Sequence, residues 1–411
     1  MRVLFVAPYV PSLVRIRSFS FVKYLSRRHE VTVVALMHDK VDAEAVDFLR
    51  HYCTRVETIP LSRGEGLYNC GLALPSRVPL QAAYCRSGEL TRRIASELQH
   101  GDYDLAHVEH MRAAHFGLQI TGIPVVYDSV DCITLLLRRT VRHSRFGPGK
   151  ALSWSELRRT VGYEADLVGR FDRVLVTSDD DRRMLLNLRG NTDVFKVVVV
   201  PNGVHLARSS SDAGKRDPDS IVFSGKMSYH ANVDAVTYFC HEIFPLVKRD
   251  RPRVRLTIVG SNPPPEVRRL GKDPSVTVTG HVPDVRPFLE HATVAVCPVR
   301  YAVGIQNKVL EAMATGTPVV ATSQACKALQ AKPGQDLLSA DDSRGFAAHV
   351  LRLLEQPAYA DWIANNGRRY VVENHEWSRI VERVESIYEE VVAGHRRLRI
   401  QTPLEMKATP I

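Results

Sequence analysis

Residues Tyr301 to Val320 read YAVGIQNKVLEAMATGTPVV, a pattern of loop, helix, turn and strand. One carboxylate, Glu311, stands among Leu310, Ala312, Met313 and Ala314, with Lys308 one turn earlier and Gly304 in the loop before the helix. A carboxylate among small apolar residues is costly to bury without partners. A helix start reached through glycine is a natural anion site, because its first N–H groups have no partner within the helix. Together these features suit a phosphate with hydroxyls beside it, as in a nucleotide. The same residues also fit a partly exposed glutamate on an ordinary α/β helix that Gly316-Thr317-Pro318 brings to a stop.

The pattern extends outward from this stretch. Short β-branched runs alternate with helical patterns, as in parallel sheets with crossover helices. In the first half the strands are Val3–Ala7, Val31–Leu36, Val56–Ile59, Ala106–Val108, Val125–Tyr127, Val174–Thr177 and Val197–Val200. Pro201-Asn202-Gly203 then marks a turn, and the polar run from Ser209 to Asp217 reads as a linker. The pattern restarts with Ile221–Phe223, Leu256–Val259, Val276–Thr279, Val294–Cys297 and Val319–Ala321. Several of these strands end in a glycine or proline turn, and in open α/β sheets such carboxyl ends form the ligand crevice. The expected fold class is α/β, with two doubly wound parallel-sheet domains facing across a cleft. The domains expected are 1–205, a linker over 206–218, and 219–372. A C-terminal helix over 373–395 follows, with Ile380, Val384, Ile387 and Val391 at helical spacing and the option of packing back on the first domain. Residues 396–411 read as a loose tail.

At 411 residues two domains are the default, and 45% apolar with 24% charged residues is a soluble globular composition. No apolar run reaches the roughly 18 to 20 residues that span a bilayer. The opening MRVLFVAPYVP reads as a strand and not as a secretory leader, since Pro8 and Pro11 interrupt it. The seven cysteines are scattered and never paired as CxxC, which points to reduced thiols and a cytoplasmic setting. The net charge of +10 suggests an anionic partner, but no nucleic-acid signature stands out. Between Arg138 and Arg159 six arginines and Lys150 face a single acid, Glu156, with Leu135, Leu152 and Trp154 among or beside them. That mixture fits contact with anionic lipid at the inner face of a membrane, and equally a solvated helical hairpin.

PNGV at 201–204, the glycine turn after Phe223, IVG at 258–260, TGHVPDV at 279–285 and VLEAMATGTPVV at 309–320 occur in that order. In these motifs the chain resembles the group 1, or family 4, glycosyltransferases, and GIQNKVLEAMA resembles the sugar transferases of polysaccharide-export clusters. The resemblance implies a GT-B fold of two Rossmann-like domains, with a nucleotide-diphosphate sugar, most often UDP-linked, held mainly by the second. It implies transfer to a glycan or lipid-linked acceptor with retention of configuration, and no cofactor or required metal. Glu311 matches the second glutamate of the family's E-x7-E motif, which hydrogen-bonds the ribose. Val303 stands where the first glutamate belongs, a departure that leaves donor-sugar recognition open. Gly304, Gln306, Asn307 and Lys308 are the neighbouring donor-side candidates. Gly225-Lys226 matches the family's Gly-Arg, whose cation meets the diphosphate; lysine keeps the charge and loses the fork. His230 and Asn232 stand where a second cation belongs, and His281-Val282 matches the segment that touches the base.

The first domain follows the family less closely. The loop from Pro8 to Arg17 has no glycine, so Arg17 is the candidate source of charge there. After Val125–Tyr127, Asp128 takes the place of a family histidine, and Asp128 or Asp131 is the candidate contact for the acceptor hydroxyl or donor sugar, alongside Lys226. An Asx turn or helix cap explains the two aspartates as well. His107 is a further acceptor-side candidate; His107 and His110 flank Glu109, but without another ligand they define no metal site. Asp179-Asp180-Asp181 after Ser178 reads as an acidic first helical turn behind a cap, in preference to a metal motif. The alternatives to a transferase are a nucleotide-sugar 2-epimerase and a non-catalytic nucleotide- or glycan-binding protein.

Overall fold

The computed structural model describes residues 1–38, 40–143, 148–206, 216–301 and 305–405. The chain divides into two compact units, 1–201 with 377–411, and 202–376. The first is built on β1 (Arg2–Ala7), β2 (Glu30–Met37), β3 (Arg55–Pro60), β4 (Leu105–Glu109), β5 (Val125–Val130), β6 (Arg173–Val176) and β7 (Val197–Val199). The second is built on β8 (Asp217–Ser224), β9 (Arg255–Val259), β10 (Val276–Gly280), β11 (Ala292–Cys297), β12 (Val319–Ala321) and β13 (Leu338–Ser339).

The strand orders are β3-β2-β1-β4-β5-β6-β7 and β10-β9-β8-β11-β12-β13, and the neighbours in each sheet pair in parallel. Helices link consecutive strands. Parallel strands covered on both faces need apolar side chains on both, so they read as continuous runs. Thus Val3, Leu4, Phe5, Val6 and Ala7 of β1 are all fully buried. The architecture is therefore two doubly wound α/β domains, each with its own core.

The chain crossings differ by a few residues from the expected boundaries. Val204 is buried in the second core, and its N–H donates to the His375 carbonyl at 2.7 Å. The His375 ring meets the Asn202 carbonyl at 2.8 Å through Nδ1 and the Tyr370 hydroxyl at 3.1 Å through Nε2. Asn202 to Val204 and His375 therefore belong to the second unit, and the first resumes at Trp377. Of the expected linker, 207–215 lie outside the described residues. Arg216 is already anchored, donating to the carbonyls of Ala292 and Gly316 at 2.6 Å each.

The helix Pro357–Asn374 stops just before His375, and a second helix runs over Trp377–Glu405. The expected tail from Arg396 is thus helical through Glu405. Trp377, Ile380, Val381, Val384, Ile387 and Tyr388 of this helix are buried with Phe5, Phe21 and Val22 of the first unit. Trp377 meets Phe21 edge-on at 5.9 Å.

The Arg138–Arg159 stretch falls on the helices Ile133–His143 and Pro148–Arg170, with 144–147 outside the described residues. Glu164 of the later helix accepts from the N–H groups of Ile133 (2.7 Å) and Thr134 (2.9 Å), capping the earlier one. Among the described residues no helix is long and apolar enough to cross a membrane.

Because Trp377 fills the first unit's core with 1% of its surface exposed, Trp377→Ala is expected to cost about 3–5 kcal/mol of stability in chemical denaturation. A loss below 1 kcal/mol would show that the C-terminal helix is dispensable to that core.

Candidate functional site

The strand order reverses between β1 and β4 in the first unit and between β8 and β11 in the second. Ligands of open parallel sheets bind outside the carboxyl ends of the strands at such a reversal.

In the second unit β8 hands over to Gly225-Lys226 at this point. The Gly225 N–H donates to the Val259 carbonyl at 2.9 Å, and the Gly260 N–H to the Gly280 carbonyl at 3.2 Å, joining three strand ends. A Cβ on Gly260 would lie 1.8 Å from the Gly225 carbonyl oxygen, so no other residue fits there. Above Gly225 sits Asn232, 5% exposed, in the first turn of the helix His230–Tyr238. Its Nδ2 donates to the Lys226 carbonyl at 2.9 Å, and its Oδ1 accepts from Lys308 Nζ at 2.5 Å. Lys308 Nζ also lies 5.6 Å from the centroid of the Phe223 ring. A buried amide thus fixes both the glycine turn and a cation beside it.

Lys308 belongs to the helix Asn307–Ala314, whose cap position is held by Gln306 without a side-chain cap bond. Glu311, on the next turn, is only partly exposed. Burial pushes its carboxyl up to about 7, with Lys308 opposing and Asp284 adding to the rise. Asp284 is in the loop after β10, so that loop comes near the same helix. His281 of this loop is exposed and Val282 packs against the core. His230 stacks on Tyr301 at 5.5 Å and reaches its hydroxyl at 3.1 Å through Nδ1. Gly225, Lys226, Gln306, Asn307, Lys308 and Glu311 therefore gather around the reversal. Val303 and Gly304 lie outside the described residues.

The first unit departs from expectation. Arg17 and Asp128, both expected to face a substrate, face each other. Arg17 Nε meets Asp128 Oδ2 at 2.7 Å and Nη2 meets Oδ1 at 3.1 Å, with 7% and 0% of the side chains exposed. Arg17 also donates through Nη1 to the Val200 carbonyl at 3.0 Å. A forked, charge-assisted pair of this kind satisfies the buried charges of both partners. His107 is likewise a core residue. It is fully buried, stacks on Phe5 at 4.5 Å, and shares a 2.7 Å hydrogen bond through Nδ1 with the Tyr388 hydroxyl. Burial lowers its pKa to about 4, so it is neutral near pH 7.

The carboxylates that keep some surface here are Asp131 and Glu109. Asp131 accepts from the Thr177 hydroxyl at 3.1 Å, and burial raises its pKa. Glu109, at the end of β4 beside the reversal, is raised to about 8, first by burial and then by Asp128. Glu109 is the functional candidate that the sequence reading passed over; it stood there only as the residue between two histidines. The backbone is strained beside both groups, with φ of +65° at His110 and at Val130. A β-branched residue in the left-handed region is an outlier held in place by its surroundings, here a hydrogen bond from the Val130 N–H to Asp128 Oδ1 at 3.1 Å. Ser178 caps the helix Asp179–Leu188 by accepting from the Asp181 N–H, which accounts for the triple aspartate.

Two outcomes are expected. Glu311 has a raised folded-state pKa, so it binds more protons folded than unfolded and its contribution falls as pH rises from about 4.5 to about 7. Glu311→Gln should therefore stabilise the protein at about pH 8 and leave it nearly unchanged at about pH 4, by thermal denaturation. Arg17→Met should cost about 3–5 kcal/mol by stranding Asp128, and adding Asp128→Leu should recover much of that loss. Equal losses in the single and double variants would show that the pair is not coupled.

Comparison with known proteins identifies the family and the fold. A family model described as group 1 glycosyl transferases matches residues 218–356, and one described as glycosyltransferase family 4 matches 17–208. The chain is 25% identical over 319 residues to a glycogen synthase of Mycobacterium tuberculosis, covering 75% of this chain and 73% of the relative. It is 30% identical to an MMP α-(1→4)-mannosyltransferase of Mycolicibacterium hassiacum over 168 residues, 38% of this chain and 40% of the relative. In fold it is similar to a sucrose-phosphate synthase of Thermosynechococcus elongatus, with a TM-score of 0.67, 16% identity and coverage of 96% and 100%. It is also similar to Anabaena HepE, solved with UDP and glucose, with a TM-score of 0.66, 15% identity and coverage of 95% and 100%. The fold is accordingly GT-B, and the chain belongs to the group 1, family 4 glycosyltransferases.

Proposed function

We propose that the chain moves a sugar from a nucleotide-diphosphate donor, UDP-linked, to a hydroxyl of a glycan or lipid-linked acceptor, with retention of configuration and without a metal. One observation carries the proposal: Glu311 and Lys308 project from one helix beside the glycine turn at the sheet reversal, and Asn232 fixes Lys308 there. Supporting UDP, HepE was solved with UDP and glucose, and the Staphylococcus aureus protein TarM with UDP.

In this reading Glu311 accepts hydrogen bonds from the ribose hydroxyls. Those donors favour the ionised form and offset the burial that raises its pKa. Lys226, Lys308 and the first N–H groups of the helix Asn307–Ala314 stabilise charge on the departing diphosphate. The acceptor hydroxyl attacks on the face the diphosphate leaves, and the leaving phosphate takes its proton, so retention needs no strong side-chain base. Asp131 and Glu109 orient the acceptor, while Asp128 and Arg17 hold the strand ends that present them. Leu13 and Val14, 65% and 82% exposed on the loop leaving β1, supply apolar surface suited to a lipid-linked acceptor. All seven cysteines are free, in keeping with the reducing cytoplasm.

UDP is expected to raise the melting temperature more than GDP or ADP, because a ligand of the folded state stabilises it. Glu311→Ala should weaken UDP binding about tenfold or more, through loss of charge-assisted hydrogen bonds to ribose. With a UDP-sugar and a glycan acceptor, NMR should show the product in the donor's anomeric configuration. An inverted product, or free sugar formed equally well without acceptor, would overturn the reading.

A further inference from the structure

The helix Arg63–Ala73 in the first unit is built the wrong way round for a helix of a solvated surface. Its inward positions are small: Gly66, where a Cβ would lie 2.4 Å from the Tyr84 ring, and Ala73, 1% exposed. Its large apolar residues point outward. Leu67, Tyr68 and Leu72 are 67%, 66% and 62% exposed, and Leu74, just past the helix end, is 60% exposed. Leu67, Tyr68 and Leu72 follow the i, i+1, i+5 spacing of one helical face, continued by Gly64 and Gly71. An ordinary amphipathic helix turns such a face to the core.

A second apolar segment adjoins this one. Arg159, on the helix Pro148–Arg170, donates through Nη2 to the Leu74 carbonyl at 2.7 Å and through Nη1 to the Ala73 carbonyl at 3.0 Å. Glu156 of the same helix accepts from the Leu80 N–H at 3.0 Å. The preceding turn carries Leu152 and Trp154, 59% and 51% exposed, with the Arg158 guanidinium 4.6 Å from the Trp154 ring centroid. Exposed cations border the apolar surface: Arg63 opens the first helix, Arg77 follows it, and Arg158 lies against Trp154. The acids are fewer. Glu65 is exposed, while Glu156 is engaged with the Leu80 N–H.

Leucines with a tyrosine, a tryptophan and bordering arginines are the composition of a surface that lies in a bilayer interface, aromatic rings at headgroup depth and cations toward the phosphates. The net charge of +10 favours the same partner. We infer that the outer face of Arg63–Ala73, together with Leu152 and Trp154, docks on an anionic phospholipid surface. This docking is separate from the donor-side chemistry and does not require it.

The test is co-sedimentation of the full chain with vesicles, either equal parts phosphatidylglycerol and phosphatidylcholine or phosphatidylcholine alone. The protein is expected to pellet with the anionic vesicles and to be released by added salt. Leu67→Glu combined with Leu72→Glu should lower partitioning about tenfold or more, since two leucines no longer leave water. Arg158→Glu should weaken binding to anionic vesicles and leave the weak binding to phosphatidylcholine unchanged. Because the altered side chains are exposed, UDP-induced thermal stabilisation in these variants should match the unaltered chain; loss of UDP response in the unaltered chain would fail the donor reading without touching this one. Absence of vesicle binding, or equal binding by the leucine variant, overturns the inference. So does a protein that ignores vesicles but forms a dimer that the leucine variant loses, in which case the face belongs to a second copy.

Discussion

The carbonyl oxygen of Gly225 fills the space in which a side chain of residue 260 would begin. This contact sets how closely the ends of β8 and β9 approach, and the candidate donor site is assembled on top of it. With no side chain at either position, Asn232 descends onto the turn and bonds the Lys226 carbonyl. Asn232 in turn holds Lys308, which stands one turn from Glu311. A chain of short-range constraints thus leads from two missing side chains to the placement of a cation and a carboxylate.

The first unit solves a different electrostatic problem. Its strand ends carry Asp128, Asp131 and Glu109 within a small region, and like charges so close disfavour ionisation. Arg17 neutralises the most buried of them and at the same time bonds the carbonyl that follows β7. The remaining two carboxyls are left with raised pKa values next to strained backbone. Strain and perturbed titration therefore sit together at these strand ends, while the core beneath, with His107 between Phe5 and Tyr388, is ordinary packing.

Much of this was readable from the residues, for physical reasons. Strands such as Val3–Ala7 and Val294–Cys297 are buried on both faces and so carry an unbroken apolar run. β13 spans only Leu338–Ser339, too short for any period to register. The places of Glu311 and Lys308 on one helix and of Gly225 after a strand were legible because their signals are local: a charged residue in a small apolar helix, a glycine directly after a strand. Arg17 and Asp128 were misread because their meaning is not local. They are 111 positions apart, and nothing around either one names its partner. Asn232 was noticed only as the absence of a second cation, since an amide in a helix carries no signature of the hydrogen bonds it will make. Arg216 was placed in a linker because its neighbours are polar, although its guanidinium is bound to the second unit's backbone.

The C-terminal helix has a consequence for how the molecule is made. Trp377, Val381, Val384 and Tyr388 complete a core whose other members lie within the first two hundred residues. During synthesis the ribosome delivers those earlier residues first, then the whole of the second unit, and the closing helix last. The second unit is continuous in sequence and is complete once residue 376 has emerged. The first must wait, its hydrophobic floor open, until Trp377 to Val392 have followed the whole of the second unit, which makes it the part of the nascent chain most in need of chaperone protection.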